Sequence, residues 1–132
     1  MPSLQPGDKA CRTTIITDEM IHPFADLTGD ANPVHLDDTY AAGTRFGRRI
    51  AHGMIAAGLI SAALANDLPG PGTVYLSQTL QFKAPVYPGD TVTTTIEVKS
   101  VRPDKPIVML STICTNQEQK VVLEGEAVVL AS

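Results

Sequence analysis

Two cysteines, no tryptophan and little charge narrow what this chain of 132 residues can be. Cys11 and Cys114 stand far apart, without Cys-x-x-Cys spacing, so no zinc pattern is offered. Free thiols in a reducing compartment are the expectation. Aromatics number three Phe and three Tyr, no basic run occurs, and the formal net charge is −4. That balance argues against nucleic acid as a partner. Charged residues make up only 18%, lean for a small soluble monomer, so part of the surface is expected to be hidden in an oligomer. A membrane span is lacking as well. Ile50 to Asn66 carries no formal charge, yet it contains His52 and Ser61 and falls short of the ~20 strongly apolar residues a span requires. It reads as a buried helix of a soluble protein. The start, Met1 to Asp8, is turn-rich and has no signal-peptide pattern, so a cytoplasmic location is expected.

What is present is enough for one domain over residues 1–132, with 43% hydrophobic residues to build a core. Cys11 to Ile16 reads as a strand through its β-branched residues. Thr17-Asp18-Glu19 resembles a helix start, although Pro23 sits late for it; either the helix kinks there or its regular part begins near His22. Met20, Ile21, Phe24 and Leu27 form an apolar stripe that Gly29 terminates. Asp37 or Asp38 could cap a short helix through Ala42. A long alanine-rich helix follows over about residues 53–67, apolar on every side, and Leu68-Pro69-Gly70-Pro71-Gly72 stops it. Thereafter the period is two. Strands are predicted over Val74–Phe82, Thr91–Val101, Ile107–Thr115 and Lys120–Leu130, separated by tight turns. The result is an α+β domain, a curved antiparallel sheet wrapped around one central helix.

Between the first helix and the second lies Phe24 to His35, where Asp30 and His35 bracket a loop stiffened by Asn32-Pro33. A carboxylate and an imidazole held on a constrained loop can be aimed at one point, as acid–base chemistry requires. By itself Asp-x-x-x-x-His is also ordinary turn chemistry, with Asp30 capping and His35 half-buried.

Leu27-Thr28-Gly29-Asp30-Ala31-Asn32-Pro33-Val34-His35 upstream of Ile50-Ala51-His52-Gly53-Met54 resembles the MaoC-like branch of the hot-dog fold. More narrowly it resembles the small R-specific enoyl-CoA hydratases that feed polyhydroxyalkanoate synthesis. Phe24, the small residue Ala41, Phe82-Lys83-x-Pro85-Val86, Pro88-Gly89-Asp90, Asp104-Lys105-Pro106 and Gly125-Glu126-Ala127 extend the likeness over nearly the whole chain. The resemblance implies syn addition of water to a trans-2-enoyl-CoA, with no metal or organic cofactor. It implies that Asp30 and His35 activate one water, with Asn32 supporting the loop or the thioester region.

The thioester oxygen needs a donor, and Gly53 at the helix start offers an unsatisfied N–H without a side chain in the way. Ser61 matches a serine of the family's active-site wall, or else bonds back to its own helix. His52 reads as structural, tying loop to helix, and a zinc site from Asp30, His35 and His52 fits no usual spacing. Leu64 reads as core, with a place in an acyl tunnel as the alternative. Arg45, Arg48, Arg49 and Lys83 are candidate partners for coenzyme A phosphates, or simply solvated charge. Two other readings stay open. One is an acyl-CoA thioesterase, although residues 54–66 hold no carboxylate; the other is a non-catalytic acyl-CoA-binding subunit. A homodimer is expected, since a single unit leaves a sheet edge and part of the helix uncovered.

Overall fold

Alternation from Thr91 to Val98, within the strand Thr91–Val101, decides the centre of the molecule. In the computed structural model, which describes residues 3–131, this segment is a strand whose Val92, Thr94, Ile96 and Val98 are all buried. In chain order the elements are β1 (Lys9–Ile15), α1 (Asp18–Thr28), α2 (Pro33–Leu36), α3 (Asp38–Ala42), α4 (Gly53–Asn66), β2 (Val74–Gln78), β3 (Gln81–Phe82), β4 (Thr91–Val101), β5 (Ile107–Thr115) and β6 (Val121–Leu130). The strands form one antiparallel sheet in the order β1-β4-β5-β6-β2, and β3 also pairs with β6. The sheet curves around α4, which packs on β4, β5 and β1 and buries Ile55, Ile60, Ala63 and Leu64 against it. This is the predicted α+β arrangement. Of the turn-rich start, Met1 and Pro2 lie outside the described residues.

Several local expectations change. Helix α1 runs unbroken from Asp18 to Thr28 with Pro23 inside it, so its regular part does not wait for His22. Its missing N–H leaves only the carbonyl of exposed Glu19 without an intrahelical partner. Gly29 ends the helix in the left-handed region (φ 81°), and its N–H bonds to the Ala25 carbonyl, as the sequence suggests. Leu27 does not join the core. It is 84% exposed, and the buried side of α1 is Ile21 and Ala25.

The strand expected over Val74–Phe82 is broken at Thr79 and Leu80. There the chain crosses close over β6, and the Thr79 oxygen lies 1.8 Å from where a Cβ on Gly125 would stand. Only glycine permits that approach. The predicted loop holds over residues 29–32, but its end, from Pro33 through His35, is a one-turn helix. Asn32 caps α2 by accepting from the Val34 N–H, and Pro33 occupies the first turn, where its missing N–H costs nothing. Asp37 caps α3 through the Tyr40 N–H.

Candidate active site

The geometry starts at the end of α1. The Thr28 hydroxyl donates to the Phe24 carbonyl and accepts the Asp30 N–H, while an Asp30 carboxyl oxygen accepts the Asn32 N–H. These short-range bonds turn the chain sharply and point exposed Asp30 outward. Five residues on, α2 carries His35 inward, to 9% exposure. The carbonyl of Ile50 sits 2.8 Å from His35 Nδ1. A carbonyl can only accept, so the proton is on Nδ1 and the Nε2 lone pair is free. Burial holds the His35 ring below the usual imidazole range. The Ile50 bond opposes that shift, neighbouring His52 adds to it, and Asp30 opposes it.

His52 is the residue immediately before α4, and its side chain makes no capping bond to that helix. Its Nε2 lies 2.9 Å from the Asp30 backbone oxygen, and its ring stacks on His35 at 3.9 Å between centroids. Phe24 closes the other side at 4.7 Å. One polar atom from each of Asp30, His35 and His52 lies within 4.8 Å of the others. The donor set does not suit a metal. His52 Nε2 is committed to the Asp30 carbonyl, and its Nδ1 is buried, which leaves Asp30 and His35 Nε2 where three protein ligands are usual.

Two clefts meet at this point, and Met54 lines both. One, of about 540 Å³, is walled by His35, Gly53, Phe82, Arg45 and Lys83. The other, of about 640 Å³, runs past Asp30 along Ala57, Gly58, Ser61 and Tyr75. Gly53 is the first residue of α4, and a Cβ there would come within 2.7 Å of the Phe82 ring. Only a residue without a side chain lets Phe82 come this close, and the Gly53 N–H belongs to the first turn, at the positive end of a helix. Ser61 makes no back-bond within α4 among the described residues; it faces the second cleft. Burial pushes the Tyr75 phenol up to about 12, so it stays a donor to Gln78, which in turn donates to buried Thr112. Neither Tyr75 nor Gln78 stands out in the sequence, because both read as ordinary strand residues.

The remaining candidates separate. Leu64 is core, at 1% exposure, and touches only a pocket of about 70 Å³ shared with Ser61 and Tyr75. Arg48 lies over the Tyr87 ring at 4.1 Å and donates to the Pro88 carbonyl, outside both clefts. Arg49 is structural. It bridges Asp18 of α1 and Asp38 of α3 and reaches the His35 carbonyl, so its charge is spent holding the helices that carry the site. Arg45 pairs with no acid among the described residues, while Lys83 pairs loosely with Glu124 at 3.4 Å; both remain at the first cleft.

Comparison with known proteins gives a consistent picture. Residues 5–119 match the family model for the MaoC like domain. The chain is 48% identical over 127 residues to an (R)-specific enoyl-CoA hydratase of Rhodospirillum rubrum, covering 96% of this chain and 88% of that one. It is 46% identical over 127 residues to an (R)-specific enoyl-CoA hydratase of Aeromonas caviae, covering 96% and 95%. The solved structure of the A. caviae (R)-hydratase involved in PHA biosynthesis superimposes with a TM-score of 0.96 at 44% identity, over 100% of both chains.

Proposed function

This chain belongs to the MaoC like domain family, and on that premise we propose that it is an (R)-specific enoyl-CoA hydratase. The observation that carries the reading is an Asp30 carboxyl oxygen and a ring nitrogen of His35 lying within 4.8 Å of each other, on residues that line the two clefts flanking the start of α4. Hydration of a trans-2-enoyl-CoA forms a C–O bond at Cβ and a C–H bond at Cα. Electron density passes transiently to the thioester oxygen. A base must take a proton from water, an acid must deliver one to Cα, and the developing enolate needs a donor. Asp30 and His35, close to each other, share the two proton transfers, and delivery of both from this one pair yields syn addition. The Gly53 N–H serves the thioester oxygen. Asn32 keeps α2, and so His35, in place through its cap.

The apolar cleft along Ala57, Gly58 and Ser61 takes the acyl chain, and Arg45 and Lys83 face the coenzyme A end. The reaction is redox-neutral and its two proton steps have groups to perform them, so we assign no cofactor and no metal. α4 carries no carboxylate, which disfavours the thioesterase reading. Supply of monomers for polyhydroxyalkanoate synthesis is the proposed role, carried by the likeness to the A. caviae protein. A cytoplasmic homodimer is the proposed form. Among the described residues no helix is long and apolar enough to cross a membrane.

Loss of enone absorbance with crotonyl-CoA tests this, followed by chiral analysis of the product. The native protein should give the R product. Asp30→Asn and His35→Gln should each lose about 10²–10⁴-fold in kcat, as expected for a proton-transfer group. A native protein that binds crotonyl-CoA without consuming it would leave only the binding-subunit reading.

A further inference from the structure

The His52 ring, buried at the site, touches both Asp30 and His35. It is 2% exposed and wedged between Phe24 and His35. Its Nε2 faces the Asp30 carbonyl at 2.9 Å, which can only accept, so the proton sits on Nε2 and Nδ1 is bare. No donor reaches that buried Nδ1 among the described residues. A buried acceptor without a partner calls for an explanation, because an apolar ring of the same shape would avoid its cost. Packing alone therefore does not account for a histidine. The one bond that the imidazole makes and a phenyl ring could not is the one to the Asp30 backbone.

We propose that His52 is the positioning residue of this site. Its Nε2–H holds the Asp30 carbonyl while its ring supports the ring of His35, so that one side chain sets the separation of carboxyl and imidazole. The Asp30 loop is otherwise exposed, and its remaining hydrogen bonds among the described residues are short-range ones to its own flanks, from Ala25 to His35. The bond from His52 is its direct tie to α4, the element that also presents Gly53. Acid, base and thioester donor are thus referred to one rigid helix start. Such an arrangement matters because a misplacement of about 1 Å can cost about 10²-fold in rate. This assignment rests on the hydratase reading.

Two variants separate the contributions. His52→Phe keeps a ring under His35 and removes the donor; His52→Gln keeps an amide donor near the position of Nε2 and removes the ring. With crotonyl-CoA, His52→Phe should lose about 10²-fold in kcat with KM within about threefold, at a melting temperature close to native. His52→Gln should recover part of that loss. A purely structural role would instead lower the melting temperature and leave the kcat of the folded fraction unchanged. Side-chain nitrogen-15 spectra of the native protein give a readout independent of turnover, in which His52 should appear as the Nε2–H tautomer. The assignment is overturned if His52 carries its proton on Nδ1, or if folded His52→Phe keeps native kcat. Should His52→Phe not fold, the same spectrum decides, together with a His52→Gln kcat that is either reduced at native KM or unchanged. A native protein inert towards enoyl-CoA would sink the hydratase reading, and the tautomer would still report whether His52 holds Asp30.

Discussion

The state of His35 follows from where α2 puts it. Burial holds the ring below the ordinary imidazole value of about 6.5, so at neutral pH its Nε2 offers a lone pair rather than a proton. If that unprotonated ring is the working form, kcat/KM should rise with pH through an apparent pKa below about 6.5 and level off by neutrality. A pH–rate profile with crotonyl-CoA checks this, and an acid limb at or above that value would contradict it. Stability follows the same sign. The unfolded chain binds the proton more readily, so the contribution of neutral His35 is full above the unfolded value. It declines as pH falls toward the lowered folded one.

Among the elements, the small ones carry the site and the glycines let them meet. Arg49 reaches acids on α1 and α3 and the carbonyl of His35, and its side chain is only 15% exposed. The resulting ion pairs are better shielded than a surface pair on its arginine side, and they lock three short helices that have little core of their own. On the sheet, the close crossing of Thr79 over β6 depends on the absent Cβ of Gly125. Gly125→Ala would force backbone apart, and it would crowd Gln78, whose Nε2 lies 3.2 Å from the same position. A destabilisation of about 3 kcal/mol is expected, visible as a lowered urea midpoint. A midpoint unchanged from native would mean that the crossing can relax.

For the whole molecule, the exposed surface argues for a second copy. Edge strand β2 presents Val74 at 51% and Leu76 at 50% exposure, and Phe82 and Met54 stand open at the clefts at 53% and 52%. An unpaired edge carrying apolar side chains invites pairing with another chain. The helix expected to be apolar and covered all round is covered on only one side, with Met54, Gly58 and Ala65 uncovered. We expect light scattering to report twice the 14.0 kDa chain mass. Leu76→Asp should shift it to the single-chain mass and lower hydratase activity with it. A native monomer with full activity would refute the proposed pairing.

Sequence alone determined the architecture, because its signals are local and repeated. Alternation from Thr91 to Leu130 requires strands with one buried face, and Gly29, Asp37 and Leu68-Pro69-Gly70 end or begin helices by their own backbone chemistry. The Asp30 and His35 pair was legible for the same reason, since the spacing and the proline lie within one short stretch. Tertiary structure decided what depends on approach between distant segments. Arg49 could not be told from Arg45 until Asp18 and Asp38 closed on it, and the choice for Leu64 between core and acyl tunnel was settled for the core only when the sheet covered it. The break at Thr79 needed Gly125 across the sheet, and the bond from His52 to Asp30 spans 22 positions. Periodicity encodes which face is buried; it carries no information about which charge or ring will be waiting on the other side.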